Sequence, residues 1–346
     1  MRLDIVPENP LESLAAWTGM LPASVVKVVW GFTVGRTLLS AVELGVFEAL
    51  ADGPSTSAAL AERLACDPEG MRTLLVALNG FGLLRRREET YSLRREAERY
   101  LTSKHKMDLT AAMKMGAVLD KKMRGLTHAI RTGEREDFHA SLEEDEWDAY
   151  LRGLGAMARM TASEVVRKLK LDAPKRLLDV AGGHGQFSVA LCRRHPELRS
   201  VILDLPGGAR VGRALVAESE VADRVEFREG DLREADWGEG NDLVLLFNIL
   251  HNLPEDDAKG AVAKALSALR PGGRLAILEG QHSGKSGDLS FQEGFGELFF
   301  YVLSNSLTWP APTLRKWMTD AGFERVTKSG LLTLPGAVLL VGRRPG

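Results

Sequence analysis

Three short stretches of this 346-residue chain carry residue types whose spacing could do chemistry. In LLDVAGGHGQFS, an apolar run ends in Asp179 and is followed at once by Gly182, Gly183 and Gly185, with His184 among them. Glycines at such a point let the backbone turn tightly and approach a ligand closely. LDLPGG places Asp204, followed by Leu205, roughly twenty residues further on, where a carboxylate can accept both hydrogens of a ribose diol. NILHNLPEDD places His251 directly after another apolar run. A histidine, with its ordinary pKa of about 6.5, is the natural proton acceptor at neutral pH. A nucleotide-like ligand beside a proton-transfer site is the implied chemistry.

The charges around the glycines discriminate between nucleotides. Asp179 lies before the turn, where it would repel a pyrophosphate and favour a cationic sulfonium. EGDL supplies Asp231, suited to accept from an adenine amine, beside apolar Leu232. Gly183-x-Gly185-x-x-Ser188 is a degenerate dinucleotide fingerprint and weak alone, and there is no P-loop lysine. S-adenosylmethionine fits this acidic set better than a nicotinamide cofactor. No Asp, His or Cys cluster has metal-ligand spacing, so no metal is expected.

These residues sit in two unlike halves, divided at 1–170 and 171–346. In the second half RLLDVA, RSVILDL, RVEFREG, DLVLLFN and RLAILEG alternate with helical stretches, the signature of a parallel α/β sheet with right-handed crossovers. LRPGG reads as a tight turn before the fifth strand, and FERVTKSG and GAVLLVGRR as two further strands. The first half is mainly helical. Its STSAALAERLACDPEGMRTLLVALNGFG reads as two short helices, capped by Ser57 and by Asp67-Pro68, with a small hairpin after them, in the order of a winged helix. The second of these helices is too apolar to read DNA bases, with Arg72 its single cation, so packing or dimerisation is favoured over a DNA-binding regulator. A capping box of Ser141 and Glu144 opens a connecting helix whose apolar face runs through Trp147, Tyr150, Leu151, Leu154, Met157 and Met160.

Composition narrows the class further. With 45 basic and 47 acidic residues, a net charge of -2 gives no global pull towards nucleic acid or an anionic membrane. Cys66 and Cys192 lie far apart, which suits a reducing cytoplasm. The longest early apolar run is interrupted by Lys27, Arg36 and Glu43, so no membrane span is expected, and the acids near the start argue against a signal peptide.

LLDVAGGHG, ILDLPGG, GDL, NILHNLPEDDA and ALRPGGRLAILE, in this order and spacing, resemble the S-adenosylmethionine-dependent O-methyltransferases of the plant caffeate/isoflavone and bacterial natural-product type. The resemblance extends over nearly the whole chain. It implies a class I methyltransferase fold, Rossmann-like with a seven-stranded mostly parallel sheet, behind an N-terminal winged-helix-like domain that makes a homodimer and covers the pocket. It also implies a hydroxylated aromatic or polycyclic acceptor from secondary metabolism.

Carried onto this chain, the resemblance puts Asp179, Gly182 and Gly183 on the methionine-binding turn, Asp204 and Leu205 at the ribose, Asp231 and Leu232 at the adenine, and Phe247 and Asn248 at the cofactor-facing end of the fourth strand. His251 falls on the catalytic base and Glu279 on the carboxylate flanking it. Met157, Met160, Asn252, Phe295, Phe299 and Phe300 are the expected acceptor contacts. The family's first glycine is Ala181 here, and Asn252 replaces the usual aspartate after the base. SLTWP stands where plant relatives have GKERT, so a second orienting carboxylate is missing there, with Glu293 or Glu297 as substitutes. These departures keep transfer to carbon or nitrogen, or other chemistry by an enzyme that retains the cofactor, open as alternatives. Among the other histidines, His184 reads as passive, His105, His128 and His139 as surface or core, and His195 and His282 lack a motif.

Overall fold

The computed structural model describes residues 9–18, 20, 22–135, 137–280, 290–304 and 308–346. His282, Ser306 and Leu307 lie outside the described residues. The chain divides into two compact units, Met1–Ala117 and Val118–Gly346, so the connecting helix belongs with the second unit.

The first unit begins with α1 (Pro10–Trp17), α2 (Ala23–Glu43) and α3 (Val46–Ala51). β1 (Ser55–Thr56), α4 (Ser57–Arg63) and α5 (Pro68–Gly80) follow, then the hairpin β2 (Leu84–Arg87) and β3 (Thr90–Leu93), and α6 (Arg95–Tyr100). The hairpin is antiparallel and β1 extends it, giving the order β1-β3-β2. Asp67 caps α5 by accepting from Gly70 N, with Pro68 as its first residue. The cap of α4 is Thr56 rather than Ser57: its hydroxyl accepts from Ala59 N at 3.2 Å, which makes Ser57 the first helical residue. Phe47, Leu60, Met71, Leu75, Leu78 and Leu84 close a separate core, while Trp17, Val28, Trp30 and Phe32 on α1 and α2 are exposed.

α7 (Thr110–Met123) crosses the boundary and leads to α8 (Leu126–Thr132) and the long α9 (Glu144–Leu169). The capping box of α9 is Glu143 with Glu146, two residues later than the Ser141–Glu144 pair that the sequence suggests. Ser141 Oγ instead donates to Phe138 O and accepts from Lys122, which removes it from the helix start.

The sheet comprises β4 (Arg176–Val180), β5 (Arg199–Asp204), β6 (Val225–Glu229), β7 (Asn241–Phe247), β8 (Leu269–Gly280), β9 (Glu324–Gly330) and β10 (Ala337–Arg343). Its order is β6-β5-β4-β7-β8-β10-β9; the first five strands are parallel, and β10 runs antiparallel to both its neighbours. β8 extends back through LRPGG to Leu269 instead of starting after it, bending where Gly272 takes φ +77°. The helices α10 (Gln186–Arg194), α11 (Pro206–Ala217), α12 (Glu255–Ala268), α13 (Phe291–Ser304) and α14 (Ala311–Asp320) complete the unit.

The near-continuous apolar strands follow from burial on both faces. Leu178, Val180, Val244, Leu246 and Ile277 pack with Val262 of α12 and Leu314 and Met318 of α14. The alternate residues Leu177, Leu243, Leu245 and Leu278 pack with Val165 of α9 and Phe187 of α10. Alternation also turns Asp179 into the second face, where it is 1% exposed.

Buried Glu164 ties α9 to the loop before β10. It accepts from Leu332 N (3.0 Å), Thr333 N (2.9 Å) and Thr333 Oγ1 (2.7 Å), and these bonds hold its pKa down at about 2. A Glu164→Ala variant strands two amides and is expected to lose about 2–3 kcal/mol of unfolding free energy at neutral pH. Because the folded-state pKa lies below the ordinary 4.5, that contribution is present above 4.5 and disappears as pH falls towards about 2. Urea unfolding of variant and parent should therefore converge at acid pH.

Candidate functional site

The strand order reverses between β4 and β7, and open α/β sheets bind ligands at such a switch point. A cavity of about 370 Å³ opens there, of a size suited to a small molecule. Ala181, Gly183, Asp204, Leu205, Asp231, Leu232 and Asn248 line one side. Phe138, His139, Trp147, Tyr150, Asn252 and Ser304 line the other.

The glycine turn is shaped around two carboxylates. A Cβ on Gly182 would lie 2.5 Å from Asp179 Cγ, and one on Gly208 2.1 Å from Asp204 Oδ1, so neither position admits a side chain without moving an acid. Asp204 accepts from Gly183 N and from Leu205 N, both at 2.8 Å, which fixes the turn to the end of β5. Ala181 takes φ +55°, a left-handed conformation that costs an L-residue roughly 1–2 kcal/mol and explains why glycine is the family's choice there. His184 accepts from Gln186 N through Nδ1 at 3.1 Å, and burial lowers its pKa to about 4, so it holds the start of α10 as a neutral ring.

Asp179 and Gly182 lie just behind the wall rather than on it. Ser188 Oγ donates to Asp179 Oδ2 at 2.7 Å and Ser200 Oγ donates to Ser188, while Asp179 Oδ1 is buried without a hydrogen bond. Burial, reinforced by Asp204, pushes the Asp179 pKa up to about 7, and burial raises Asp204 to about 6. No ion pair to either carboxylate occurs among the described residues. Two such carboxylates at one turn suit a ligand that brings positive charge, as the sulfonium and ammonium groups of S-adenosylmethionine do.

Asp231 is less available than the sequence suggests. Arg233 bonds it through Nη2 at 2.5 Å and through Nε and its backbone N, so an adenine amine would share a carboxylate that is already engaged. Trp237 Nε1 and Lys264 Nζ both donate to Leu232 O and hold this loop.

His251 sits on the 3₁₀ turn Leu250–Asn252 after β7, a turn entered through Asn248 at φ +53°. Glu279, at the end of neighbouring β8, is 2% exposed and makes three bonds. Oε1 accepts from Ile249 N (3.1 Å) and Leu250 N (2.8 Å), and Oε2 meets His251 Nδ1 at 2.5 Å. An ionised carboxylate only accepts, so when the ring is neutral this contact places its proton on Nδ1 and its lone pair on Nε2. The imidazole is 7% exposed and lies just behind the wall formed by Ile249 and Asn252, its face against the Phe300 ring at 3.8 Å between centroids. Trp309 Nε1 donates to Leu250 O at 2.9 Å, so this tryptophan braces the same turn with an indole rather than a carboxylate. Glu293 accepts from Ser290, and Glu297 accepts from Thr308.

Several expected contacts lie elsewhere. Phe247 points away from the cavity and packs edge-on to Phe187 at 4.9 Å, because strand alternation puts it on the face opposite Asn248. Met157 and Met160 continue the apolar face of α9 beyond the cavity, whose wall takes Trp147, Tyr150, Leu151 and Leu154 from the helix's first turns. Phe295 is half exposed and stacks on Phe299, and neither lines the cavity. Conversely, His139 and Phe138 come from a non-helical stretch with no periodicity to mark them. His139 lies among the rings of Phe138, Trp147 and Tyr150, and burial lowers its pKa to about 4. Among the described residues, no group of three or more metal-ligating side chains occurs and no helix is long and apolar enough to cross a membrane.

Comparison with known proteins matches the model of an O-methyltransferase domain to residues 118–324 and that of an O-methyltransferase dimerisation domain to 26–103. The chain is 29% identical to a 3-hydroxy-5-methyl-1-naphthoate 3-O-methyltransferase of Streptomyces sahachiroi, over 75% of this chain and 77% of the relative. It is 28% identical to the tetracenomycin polyketide synthesis 8-O-methyl transferase of Streptomyces glaucescens, over 94% and 97%. Human N-acetylserotonin methyltransferase, solved in complex with S-adenosylmethionine, shares the fold with a TM-score of 0.83 at 19% identity, covering 99% of this chain and 100% of that one.

The buried acid has a measurable consequence. A cationic ligand at the turn requires ionised Asp179, so affinity for S-adenosylmethionine is expected to fall as pH drops below about 7, by up to roughly tenfold per unit. Calorimetry across that range should show the slope and its loss in Asp179→Asn. A slope that persists in the variant would place the titrating group elsewhere.

Proposed function

The chain belongs to the O-methyltransferase family and is an S-adenosylmethionine-dependent methyltransferase, and on that premise we propose that it methylates a hydroxyl of an aromatic or polycyclic small molecule in secondary metabolism, with His251 as general base. The observation that carries the reading is the Glu279–His251 contact, which orients the imidazole just behind the wall formed by Ile249 and Asn252. The relatives' acceptors, a naphthoate and a tetracenomycin polyketide, support a fused aromatic ring.

S-adenosylmethionine bound at the glycine turn supplies an activated methyl group. What remains for the protein is alignment and removal of a proton from a phenol whose pKa is about 10. Phe300 covers one face of His251, so the hydroxyl would approach the ring at its Nε2 edge. Glu279 keeps the tautomer and stabilises the imidazolium as the proton arrives. Asn252 accepts from Ser304 and lines the cavity, a neutral hydrogen-bonding pair facing the acceptor. The aromatic wall of Phe138, Trp147 and Tyr150 stacks on the acceptor's rings.

The first unit acts as the homodimerisation module. Trp17 (85% exposed), Val28 (74%) and Phe32 (72%) are exposed apolar side chains on its first two helices, of the kind that a second copy would bury.

His251→Ala is expected to lower kcat by about 10²–10⁴-fold with affinity for S-adenosylmethionine retained, and Glu279→Gln to lower it by a smaller factor. Product mass and NMR locate the methyl group. Full activity in His251→Ala, or a methyl found on carbon or nitrogen, would overturn this assignment.

A further inference from the structure

Beside the main cavity lies a second one of about 300 Å³, lined by residues of α7, α8 and α13, and the two share Arg135, Phe138 and Leu303. Arg135 thus stands at the junction. Its guanidinium lies over the Tyr301 ring, 4.5 Å from the centroid, and the Tyr301 hydroxyl is anchored in turn by donating to Ala129 O at 3.3 Å. The stack fixes the plane of the fork and leaves its N–H edge open.

The other Lys and Arg residues lining these cavities are engaged. Arg233 is held by Asp231, Lys121 Nζ by Glu146 at 2.6 Å, and Lys122 Nζ by Ser141 O at 2.9 Å. Among the described residues, Arg135 makes neither a hydrogen bond nor an ion pair. Asp137, which also lines the main cavity, accepts from Ala140 N at 3.0 Å. A half-buried, pre-oriented guanidinium with five unused donors is a receptor for a planar anion.

We propose that Arg135 anchors a carboxylate on the aromatic acceptor, so that the preferred substrate is a hydroxylated aromatic acid held by its acid group at the cavity junction while its hydroxyl is presented to His251. The inference rests on the aromatic-hydroxyl reading above. It adds what that reading lacks, a polar feature that fixes which way round the ring system enters. Arg135 is a specificity residue: it touches the acceptor at a distance from the reacting oxygen.

The test uses a naphthol and a hydroxynaphthoate that differ only in a ring carboxylate, with naphthoate lacking the hydroxyl as a dead-end ligand. The wild type should favour the hydroxynaphthoate in kcat/KM by about tenfold or more, the effect of one charge-assisted pair. Arg135→Gln should erase that preference, and Arg135→Lys should keep part of it. Naphthoate should bind the wild type saturated with S-adenosylhomocysteine and bind Arg135→Gln at least about tenfold more weakly. An unchanged preference in Arg135→Gln overturns the proposal. So does a variant whose affinity for S-adenosylmethionine falls with the preference unmoved, since Arg135 would then hold the cofactor's own carboxylate. Arg135-dependent naphthoate binding without methylation of either hydroxyl would sustain the anion site and overturn the O-methylation reading instead.

Discussion

The contact on which the site depends is made by one side chain at the end of a strand. Glu279 closes β8, the strand next to β7, and accepts from Ile249 N, Leu250 N and His251 Nδ1. A carboxylate buried to 2% needs donors around it, and here the donors are the turn that leaves β7 and the imidazole on that turn. The pairing of β7 with β8, which sets Phe247 opposite Leu278, therefore also sets the angle of the proposed base. Trp309 braces the turn from α14's approach, and Phe300 closes the imidazole's face from α13. Four segments distant in sequence are made to agree on one ring.

The opposite side of the switch point uses carboxylates in another way. Asp204 is bound to backbone amides and fixes the turn, whereas Asp179 keeps one oxygen unbonded beneath it. That unbonded oxygen is the feature that a cationic ligand at this turn would satisfy. Gly182 and Gly208 are the accommodation: each leaves the space that one of these acids fills. Ala181, left-handed at the same turn, is the one residue here that works against its own backbone preference.

The cavity has a wall of a different origin. Trp147 and Tyr150 from α9 meet Phe138 and His139 from the stretch before it, and Val302 and Leu303 of α13 join them in a small core of their own. This wall belongs to the second unit, as do the glycine turn and the His251 turn. Its aromatic character supplies area and shape, and Arg135 is the cation lining it that has no hydrogen bond or ion pair among the described residues.

Residues at strand ends were legible because a parallel sheet leaves few options: each strand's carboxyl end faces the ligand, and Asp204, Asp231, Asn248 and Asn252 are all found lining the cavity. Phe247 packs on Phe187, a direction that the alternation of DLVLLFN already contained. Met157 and Met160 fall outside the cavity lining, because a helical stripe states which face is buried and nothing about how far along the axis a cavity reaches. Phe138, His139 and Arg135 had no periodic signal at all. By itself, then, the sequence determined the sheet, the cofactor's charge and the histidine after the fourth strand, since local periodicity and chemical type are written residue by residue. Only the tertiary structure decided which side chains share a wall and, among the described residues, which acid keeps one oxygen unbonded and which cavity-lining cation lacks a polar partner. Those are properties of pairs brought together across scores of residues, and no local pattern encodes them.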